Sequence, residues 1–258
     1  MGASLQGRHA VVTGAGRGIG AAIAERLAAE GAVLTLLGRN LDTLQALAAR
    51  LPASARALPV ACDITSDASV TEAFAAARAA SGPVAVLVNN AGQAESAPFH
   101  RIDADHWQRM LEVNLTGTFR CIQAALPDLL AAGAGRIVNV ASTAGLRGYA
   151  YVAAYAAAKH GVVGLTRSLA LELAAKGITV NAVCPGYTDT DIVRDSVARI
   201  VAKTGRSAEA AQAEFVRGNP QRRLVAPAEV ADTVAWLCGD GAAAVTGQAI
   251  SVSGGEVM

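Results

Sequence analysis

The sequence has few aromatic residues and no cluster of metal-binding side chains. Phe, Trp and Tyr together make up 4% of the 258 residues, so the core must be built mainly from Ala, Val, Leu and Ile. The four cysteines lie far apart, form no Cys-x-x-Cys pair and have no paired histidines beside them. We therefore expect neither a metal site nor a disulfide framework, and we interpret the cysteines as buried thiols of a cytoplasmic protein.

A basic block, a long apolar run and a leader-like start are also missing. The net charge is +1 and the basic residues do not cluster, so we expect no nucleic-acid partner. Charged residues interrupt every apolar run before about 18 residues, which predicts no membrane-spanning helix. The first residues lack a basic segment followed by an apolar one, so we expect no signal peptide.

Strand-like apolar segments alternate with helix-like segments along nearly the whole chain. This alternation predicts a Rossmann-like, doubly wound α/β fold, with a parallel sheet of about seven strands and helices on both faces. No change in composition marks a linker, so we expect residues 1–258 to form a single domain. The predicted strands are His9–Thr13, Val33–Leu37, Ala57–Cys62, Val84–Val88, Arg136–Ala141, Thr179–Val183 and Ala249–Val252.

The first predicted strand leads into a glycine-rich turn and then a helix. The turn contains Gly14, Arg17, Gly18, Ile19 and Gly20. Glycine lets the backbone turn sharply and approach a pyrophosphate, and the start of the helix offers N–H groups to it. The context indicates a dinucleotide-binding turn, although an ordinary strand–helix turn or another nucleotide-handling fold shows similar glycines.

The second predicted strand ends at Gly38 and Arg39, where many dinucleotide folds carry a carboxylate for the adenosine ribose. A guanidinium is available there instead, and Arg17 provides a second one in the glycine turn. Two guanidiniums suit the phosphate of NADP(H), which we expect to be preferred, with NAD(H) as the second candidate. The alternative is that both arginines are solvated surface residues.

Polar or glycine-rich residues follow several other predicted strands, at the sheet edge where ligands bind in such folds. Asp63 either hydrogen bonds an adenine amine or caps the next helix, and both interpretations stay open. The segment Asn89–Gly92 either forms only a tight turn or lets the backbone pass close to a cofactor. The candidate cofactor-binding residues at these ends are Asp63, Ile64, Asn90, Ala91, Gly92, Pro185, Gly186, Thr188 and Thr190.

Ser142 follows the fifth predicted strand, and Tyr155 and Lys159 share one face of the helix after it. An ammonium about 4 Å from a phenol stabilises the phenolate by roughly 4 kcal/mol at a dielectric of about 20. The pair therefore predicts an acid/base group with a lowered pKa, beside a Ser hydroxyl that holds a substrate oxygen. Taken alone, however, Tyr-x-x-x-Lys is more often a coincidence.

Asn114 stands in the middle of a predicted helix that extends from residue 104 to residue 131. Asn is unfavourable there, so its side chain either binds a water in a proton relay or bonds to the preceding turn and bends the helix. We favour the relay, because the fold brings Asn114 near Tyr155 and Lys159.

Residues 187–225 break the strand–helix rhythm directly after a ligand-facing strand end. Their helical pieces are separated by Gly and Pro, and the segment is long enough to cover a bound substrate. We expect a substrate lid, with a plain surface excursion as the alternative.

In this order the motifs resemble those of the short-chain dehydrogenase/reductase family over nearly the whole chain. The resemblance implies a catalytic tetrad of Asn114, Ser142, Tyr155 and Lys159, and hydride transfer between a nicotinamide and a carbonyl carbon. Tyr155 would be the acid or base, and Lys159 would lower its pKa and hold the nicotinamide ribose. Ser142 would bind the carbonyl oxygen, and Asn114 would position a water.

The resemblance leaves the small-molecule substrate open. Residues 243–255 resemble 3-oxoacyl reductases, 3-hydroxyacyl dehydrogenases and polyketide ketoreductases, which implies a thioester or polyketide-like ketone. A sugar, steroid or other small cyclic alcohol used with NAD is the alternative substrate class. A non-catalytic dinucleotide sensor or a structural subunit is the alternative from another class of protein. The helices predicted over residues 104–131 and 151–175 are apolar on more than one stripe, and family members pair such helices, so we expect a homotetramer.

Overall fold

Seven parallel strands form one sheet in a computed structural model that describes residues 5–258, apart from the side chains of Ile192 and Lys203. The strand order β3-β2-β1-β4-β5-β6-β7 confirms the predicted Rossmann-like fold in a single α/β domain. The strands are β1 His9–Thr13, β2 Val33–Gly38, β3 Leu58–Ala61, β4 Val86–Asn89, β5 Gly135–Val140, β6 Ile178–Pro185 and β7 Ala249–Val252.

Helices cover both faces of this sheet, because each strand's buried side chains alternate between two cores. Residues of α1, α2 and α9 pack on one face, and residues of α3, α5 and α6 pack on the other. Both cores consist mainly of aliphatic side chains, as the small aromatic fraction requires. The helices are α1 Gly18–Ala29, α2 Leu41–Ala48, α3 Asp67–Ser81, α4 Ala104–Leu111, α5 Gly117–Ala132, α6 Ala153–Leu173, α7 Asp191–Thr204, α8 Ala208–Val216 and α9 Pro227–Cys238.

Two predicted helices differ from the observed ones. The helix predicted over residues 104–131 is divided into α4 and α5 by a π-helical turn, Glu112–Thr116. The helix predicted from Tyr151 begins instead at Ala153. Tyr151 has a φ of +69°, a left-handed conformation from which a right-handed helix does not continue.

The chain changes direction across the sheet between β1 and β4, which are neighbours although β2 and β3 lie between them in sequence. In doubly wound folds a crevice opens at the carboxyl ends of the strands at such a switch point. The glycine turn after β1 and the segment after β4 therefore meet at one edge, where the ends of β5 and β6 also lie.

The segment from residue 187 to residue 225 leaves the sheet edge and returns beside its starting point. Thr188 pairs with Val225 in an isolated parallel bridge, and Val225 donates its N–H to the Tyr187 carbonyl oxygen at 2.9 Å. Helices α7 and α8 lie between these ends, and several of their residues line the cavity described below. The position of this segment beside the cavity agrees with the expected lid. The function of the segment as a lid stays a prediction.

The structure adds two observations on membranes and metals. Over residues 5–258 no helix combines the length and the apolar character that a membrane span requires. The same part of the chain holds no group of three or more His, Cys, Asp or Glu side chains arranged for a metal ion.

Candidate active site

A cavity of about 1840 Å³ runs along the carboxyl edge of the sheet. All the residues that the sequence predicts for the site line this cavity, from the glycine turn at one end to residues 187–225, the predicted lid, at the other. The fold thus brings together the four candidate catalytic residues and every candidate cofactor-binding residue.

The glycine turn has the conformation and the close contacts that favour glycine. Gly14 and Gly18 have φ values of +64° and +54°. A Cβ atom on Gly20 would lie 2.1 Å from the Gly14 carbonyl oxygen, so only glycine fits there. Arg17 precedes α1 in an extended conformation, and no side chain among the described residues caps the helix start at that position. The first-turn N–H groups are therefore free of a side-chain cap, as a phosphate-binding helix end requires.

Thr13 and Asn90 join this turn to the segment after β4. The Thr13 hydroxyl accepts the backbone N–H groups of Asn90 and Ala91, both at 3.0 Å. The Asn90 amide donates to the carbonyl oxygens of Thr13 at 3.0 Å and Gly14 at 3.1 Å. The side chain of Asn90 therefore shapes the turn, and Thr13, the last residue of β1, holds the segment after β4 in place.

The two arginines line the cavity at the glycine turn and at the end of β2. Arg39 is exposed beside Gly38. The side chain of Arg17 is 69% exposed, and its Nη1 lies 3.8 Å from the Asp191 carboxylate at the start of α7. Both guanidiniums are thus accessible to a ligand phosphate, and Arg17 would exchange a weak ion pair with Asp191 for it.

Asp63 lines the same cavity and does not cap the following helix. Its Oδ1 accepts the N–H of Thr65 at 2.9 Å and the Thr65 hydroxyl at 2.8 Å. These two hydrogen bonds, followed by the charge of Arg39, lower the pKa of Asp63. Ser66 is the residue that caps α3, through the N–H of Ser69. Asp63 therefore holds a short turn and remains ionised at the cavity.

Ser142 and Tyr155 meet at the centre of the cavity. Ser142 follows β5 and its Oγ accepts the N–H of Ala144 at 3.0 Å, which fixes the hydroxyl at the start of a short 3-10 turn. Ser142 also lies close enough to Tyr155, on the first turn of α6, for its hydroxyl to favour the ionised phenol and act to lower the pKa of Tyr155. A carbonyl oxygen placed between these hydroxyls would contact two hydrogen-bond donors.

Lys159 lies one helical turn beyond Tyr155 and is only 5% exposed. Its Nζ donates to the Val140 carbonyl oxygen at 2.8 Å and lies 5.8 Å from the centre of the Tyr155 ring. Burial lowers the pKa of Lys159 to about 8, so the ammonium remains mostly protonated at neutral pH.

The pKa of Tyr155 differs from the lowered value that its spacing from Lys159 predicts. Burial raises the pKa of Tyr155, and the hydrogen bond from Ser142 acts in the opposite direction. The Lys159 ammonium donates its hydrogen bond to the end of β5 and lies 5.8 Å from the ring centre, and the effect of burial on the phenol is the larger one. Tyr155 is therefore a neutral phenol at neutral pH, which is the form that donates a proton.

Asn114 is buried in the π-helical turn between α4 and α5. Its Nδ2 donates to the carbonyl oxygens of Gln93 at 2.9 Å and Met110 at 3.0 Å, and its Oδ1 accepts the Gln93 N–H at 3.1 Å. The side chain thus bonds to the preceding turn, the alternative that the sequence analysis placed second. A Cβ on Gly92 would lie 2.8 Å from Asn114 Oδ1 and 3.6 Å from Lys159 Nζ, so both side chains converge on Gly92. The water relay stays a prediction.

A further group of residues at the lid end was not predicted from the sequence. The cavity is also lined by Tyr149, Tyr151, Tyr187 and Phe215. Tyr149 in turn contacts Glu256, near the end of the chain. One signal was available in the sequence: three tyrosines, Tyr149, Tyr151 and Tyr155, occur within seven residues of a chain that has few aromatic residues.

A dinucleotide-binding turn and a Ser–Tyr–Lys group at one edge of a parallel sheet define a nicotinamide-dependent oxidoreductase of the α/β class. The family model described as short chain dehydrogenase matches residues 8–200. The chain belongs to the short-chain dehydrogenase/reductase family. It is an enzyme that acts on hydroxyl or keto groups with NAD(P), so the sensor and structural-subunit alternatives are not supported.

Individual relatives agree with this assignment over almost the full chain. A putative ketoacyl reductase of Streptomyces coelicolor is 43% identical, with 95% of each chain covered. The cis-4-hydroxycyclohexanecarboxylate dehydrogenase of Sinomonas cyclohexanicum is 44% identical, with 99% of this chain and 98% of the relative covered. The crystal structure of a point variant of actinorhodin polyketide ketoreductase with NADPH superposes with a TM-score of 0.92. It is 42% identical, over 96% of this chain and 97% of that one.

Proposed function

We propose that this enzyme transfers hydride between NADP(H) and a small-molecule ketone or secondary alcohol, with Tyr155 as the acid or base. The observation that carries the proposal is that Ser142, Tyr155 and the buried Lys159 ammonium, 5.8 Å from the centre of the Tyr155 ring, line one cavity with the glycine turn. Proton transfer and dinucleotide binding can therefore occur at one place.

The residues present fit a nicotinamide dinucleotide. The start of α1 has no side-chain cap at Arg17 among the described residues, and Gly92 leaves room beside Lys159. We propose that the pyrophosphate binds at the glycine turn and the adenine near Asp63. When bound, the nicotinamide supplies the hydride in reduction and accepts it in oxidation. The residues proposed to hold the dinucleotide are Gly14, Arg17, Gly18, Ile19, Gly20, Arg39, Asp63, Ile64, Asn90, Ala91, Gly92, Tyr155, Lys159, Pro185, Gly186, Thr188 and Thr190.

Side chains of the site bind the substrate oxygen and transfer the proton. In reduction, Ser142 and Tyr155 donate hydrogen bonds to the substrate carbonyl oxygen, and the Tyr155 proton moves to that oxygen as its carbon gains the hydride. The Lys159 ammonium stabilises the phenolate that remains. A water beside Asn114 returns the proton from solvent through Lys159. In oxidation, the same phenolate removes the proton of the alcohol.

NADP(H) is the proposed preferred cofactor. The exposed Arg39 and the largely exposed Arg17 present two guanidiniums at the adenosine end, where a ribose phosphate would contact both. The related ketoreductase structure contains NADPH, which supports the same choice. NAD(H) remains the second candidate.

Two substrate classes are consistent with the relatives. A 3-oxoacyl thioester or polyketide-like ketone corresponds to the putative ketoacyl reductase. A small cyclic alcohol corresponds to the cis-4-hydroxycyclohexanecarboxylate dehydrogenase. The test is a cofactor oxidation assay with 3-oxoacyl thioesters, cyclic ketones and aromatic ketones, each with NADPH and NADH. We expect turnover of at least one ketone with NADPH; an inactive folded enzyme across the whole panel with both cofactors would overturn the proposal.

The assembly and the location are also proposals. The described surface exposes Phe119 on α5 and Leu171 on α6, at 46% and 86%, which a partner subunit would cover. This supports the expected homotetramer, in which these helices pair. The four buried free cysteines are consistent with the expected cytoplasmic location. The segment 187–225 is proposed to act as the lid.

A further inference from the structure

All four tyrosines of the chain line one cavity, in a protein with only 4% aromatic residues. The two hydrophobic cores need few aromatic side chains, since aliphatic residues fill them. Tyr155 has its role in proton transfer, which leaves the other aromatic side chains at the lid end without a function. Three of them are in contact: we name Tyr149, Tyr187 and Phe215 the aromatic wall.

The aromatic wall joins three separate segments beside the reacting centre. The ring centres of Tyr149 and Tyr187 are 6.4 Å apart, and those of Tyr187 and Phe215 are 5.0 Å apart, both in edge-to-face geometry at 77°. Tyr149 follows the Ser142 turn, Tyr187 follows β6, and Phe215 belongs to α8. Tyr187 is also a neighbour of Tyr155, whose pKa is raised first by burial and then by Cys184 and Tyr187.

A buried carboxylate near the end of the chain holds this wall. The Glu256 side chain is only 3% exposed; its Oε1 accepts the Tyr149 hydroxyl at 2.7 Å and lies 3.3 Å from Arg147 Nη2. The Arg147 guanidinium lies 4.5 Å from the centre of the Tyr149 ring. A Cβ on Gly186 would lie 2.9 Å from Glu256 Oε2, so the carboxylate packs directly against the strand end that precedes Tyr187.

Burying such a carboxylate costs free energy, and the hydrogen bond from Tyr149 and the ion pair with Arg147 offset that cost. The same hydrogen bond orients the Tyr149 ring. Because the Tyr149 hydroxyl donates a hydrogen bond to Glu256, the surface that Tyr149 offers to a ligand is chiefly its ring. Because Arg147 is paired with Glu256, its charge is partly neutralised. The wall is therefore an apolar aromatic surface on a fixed polar base.

We propose that the aromatic wall is a substrate subsite for a carbocyclic ring that carries the reacting ketone or alcohol carbon, and that Glu256 is its positioning residue. This inference rests on the proposed function of the cavity. A rigid ring presents its face to the aromatic side chains and loses little conformational freedom on binding, whereas an open acyl chain must be ordered. The wall thus selects ring ketones over open-chain ketones of equal carbon number.

The first experiment compares kcat/KM for cyclohexanone and an open-chain hexanone, with NADPH, in the full-length enzyme. We expect the wild type to favour the ring ketone by at least about tenfold, a ratio typical of shape discrimination in an apolar pocket. Phe215→Leu and Tyr187→Leu should bring this ratio close to one. The matched control is Phe99→Leu, at an aromatic residue that is 74% exposed and that does not line the cavity; it should leave the ratio unchanged.

The second experiment tests Glu256 as a positioning residue. Glu256→Gln keeps the side-chain shape and removes the charge that holds Tyr149 and Arg147. We expect the KM for cyclohexanone to rise about tenfold while kcat changes by less than about twofold, and Tyr149→Phe should reproduce this split. The KM for the open-chain ketone should not move. A purely structural role would instead lower the activity on both ketones together with the melting temperature.

The outcomes separate this inference from the function on which it rests. Equal kcat/KM values for both ketones in the wild type, or an unchanged ratio in Phe215→Leu and Tyr187→Leu, would overturn the subsite while leaving carbonyl reduction intact. Failure of the wild type to turn over any ketone of the wider panel would instead overturn the proposed function.

Discussion

Lys159 donates a hydrogen bond from its Nζ to the carbonyl oxygen of Val140, at 2.8 Å, across the junction between α6 and β5. This bond holds a buried ammonium at the end of a central strand, 5.8 Å from the centre of the Tyr155 ring. The positive charge is therefore in place before a phenolate forms, so that little reorganisation is needed when Tyr155 loses its proton.

Tyr155→Phe removes the only hydroxyl that is proposed to transfer the proton. A general acid contributes about 10²–10⁴-fold, so we expect kcat for ketone reduction to fall by at least about 100-fold. Binding of NADPH, measured by fluorescence titration, should change by less than about twofold, because the ring that packs in the cavity is retained. A variant that keeps a tenth of the wild-type rate would contradict the acid/base assignment.

The pH profile should report the protonation of Lys159. Burial lowers the pKa of Lys159 to about 8; the ammonium is present below this value and is lost above it. Since the charge stabilises the phenolate, we expect kcat/KM for reduction to fall as the pH rises through about 8. Lys159→Arg stays protonated throughout, so this limb should be missing from its profile, whatever its absolute rate. The same limb in both proteins would assign it to another group.

Arg39→Ala should raise the KM for NADPH by at least about tenfold and leave the KM for NADH nearly unchanged, because a phosphate contact is charge-assisted. Arg17→Ala should act in the same direction. The matched control is Arg50→Ala, since Arg50 is also exposed but pairs with Glu25 and does not line the cavity. Equal changes for both cofactors would show that Arg39 and Arg17 are surface residues without a role in phosphate recognition.

Gly20→Ala should abolish tight cofactor binding. The added Cβ would lie 2.1 Å from the Gly14 carbonyl oxygen and 2.5 Å from Asn90 Nδ2, so the glycine turn would have to move. We expect NADPH affinity to fall by more than about tenfold, together with a lower melting temperature, by calorimetry. Gly241→Ala is the control, since a Cβ at Gly241 meets no described atom within 4 Å. Wild-type affinity in Gly20→Ala would mean that the turn tolerates a side chain.

Leu171→Glu should dissociate the proposed homotetramer. Leu171 is 86% exposed on α6, and a charge placed in a subunit interface opposes its burial. Light scattering coupled to size-exclusion chromatography should show a tetramer for the wild type and a smaller species for the variant. Leu171→Ala, which keeps the surface apolar, is the matched control. A monomeric wild type would refute the assembly.

The fold and the cavity residues that follow strands were predictable from the sequence because both depend on local patterns. Strand–helix alternation implies a parallel sheet, and the carboxyl ends of parallel strands meet at one edge. Residues such as Ser142 and Asp63, which directly follow strands, therefore had to lie along the same edge of the sheet. The bounds of α6 were less predictable, because the left-handed conformation of Tyr151 depends on its neighbours, including the bond from the Ala97 N–H to its carbonyl oxygen.

The pKa of Tyr155 and the hydrogen bonds of Lys159 and Asn114 depend on tertiary contacts, which residue spacing along a helix does not predict. The spacing of Tyr155 and Lys159 predicted a close pair and a lowered pKa for Tyr155. In the structure, the Lys159 ammonium donates its hydrogen bond to the Val140 carbonyl oxygen, and burial raises the pKa of Tyr155. Asn114 likewise had two open interpretations, and the positions of Gln93 and Met110 decided that its amide bonds to the preceding turn.

The sequence by itself determined the order of strands and helices and the glycine turn, since both follow from residue type at short spacing. The set of Asn114, Ser142, Tyr155 and Lys159 followed from the resemblance of the ordered motifs to one family. Only the tertiary structure decided how the end of the cavity that contains the aromatic wall is built. Tyr149 and Glu256 are separated by 107 residues and meet because β5, β6 and β7 are neighbours in the sheet. A contact between distant residues depends on the packed geometry of the whole domain, and no local pattern records it.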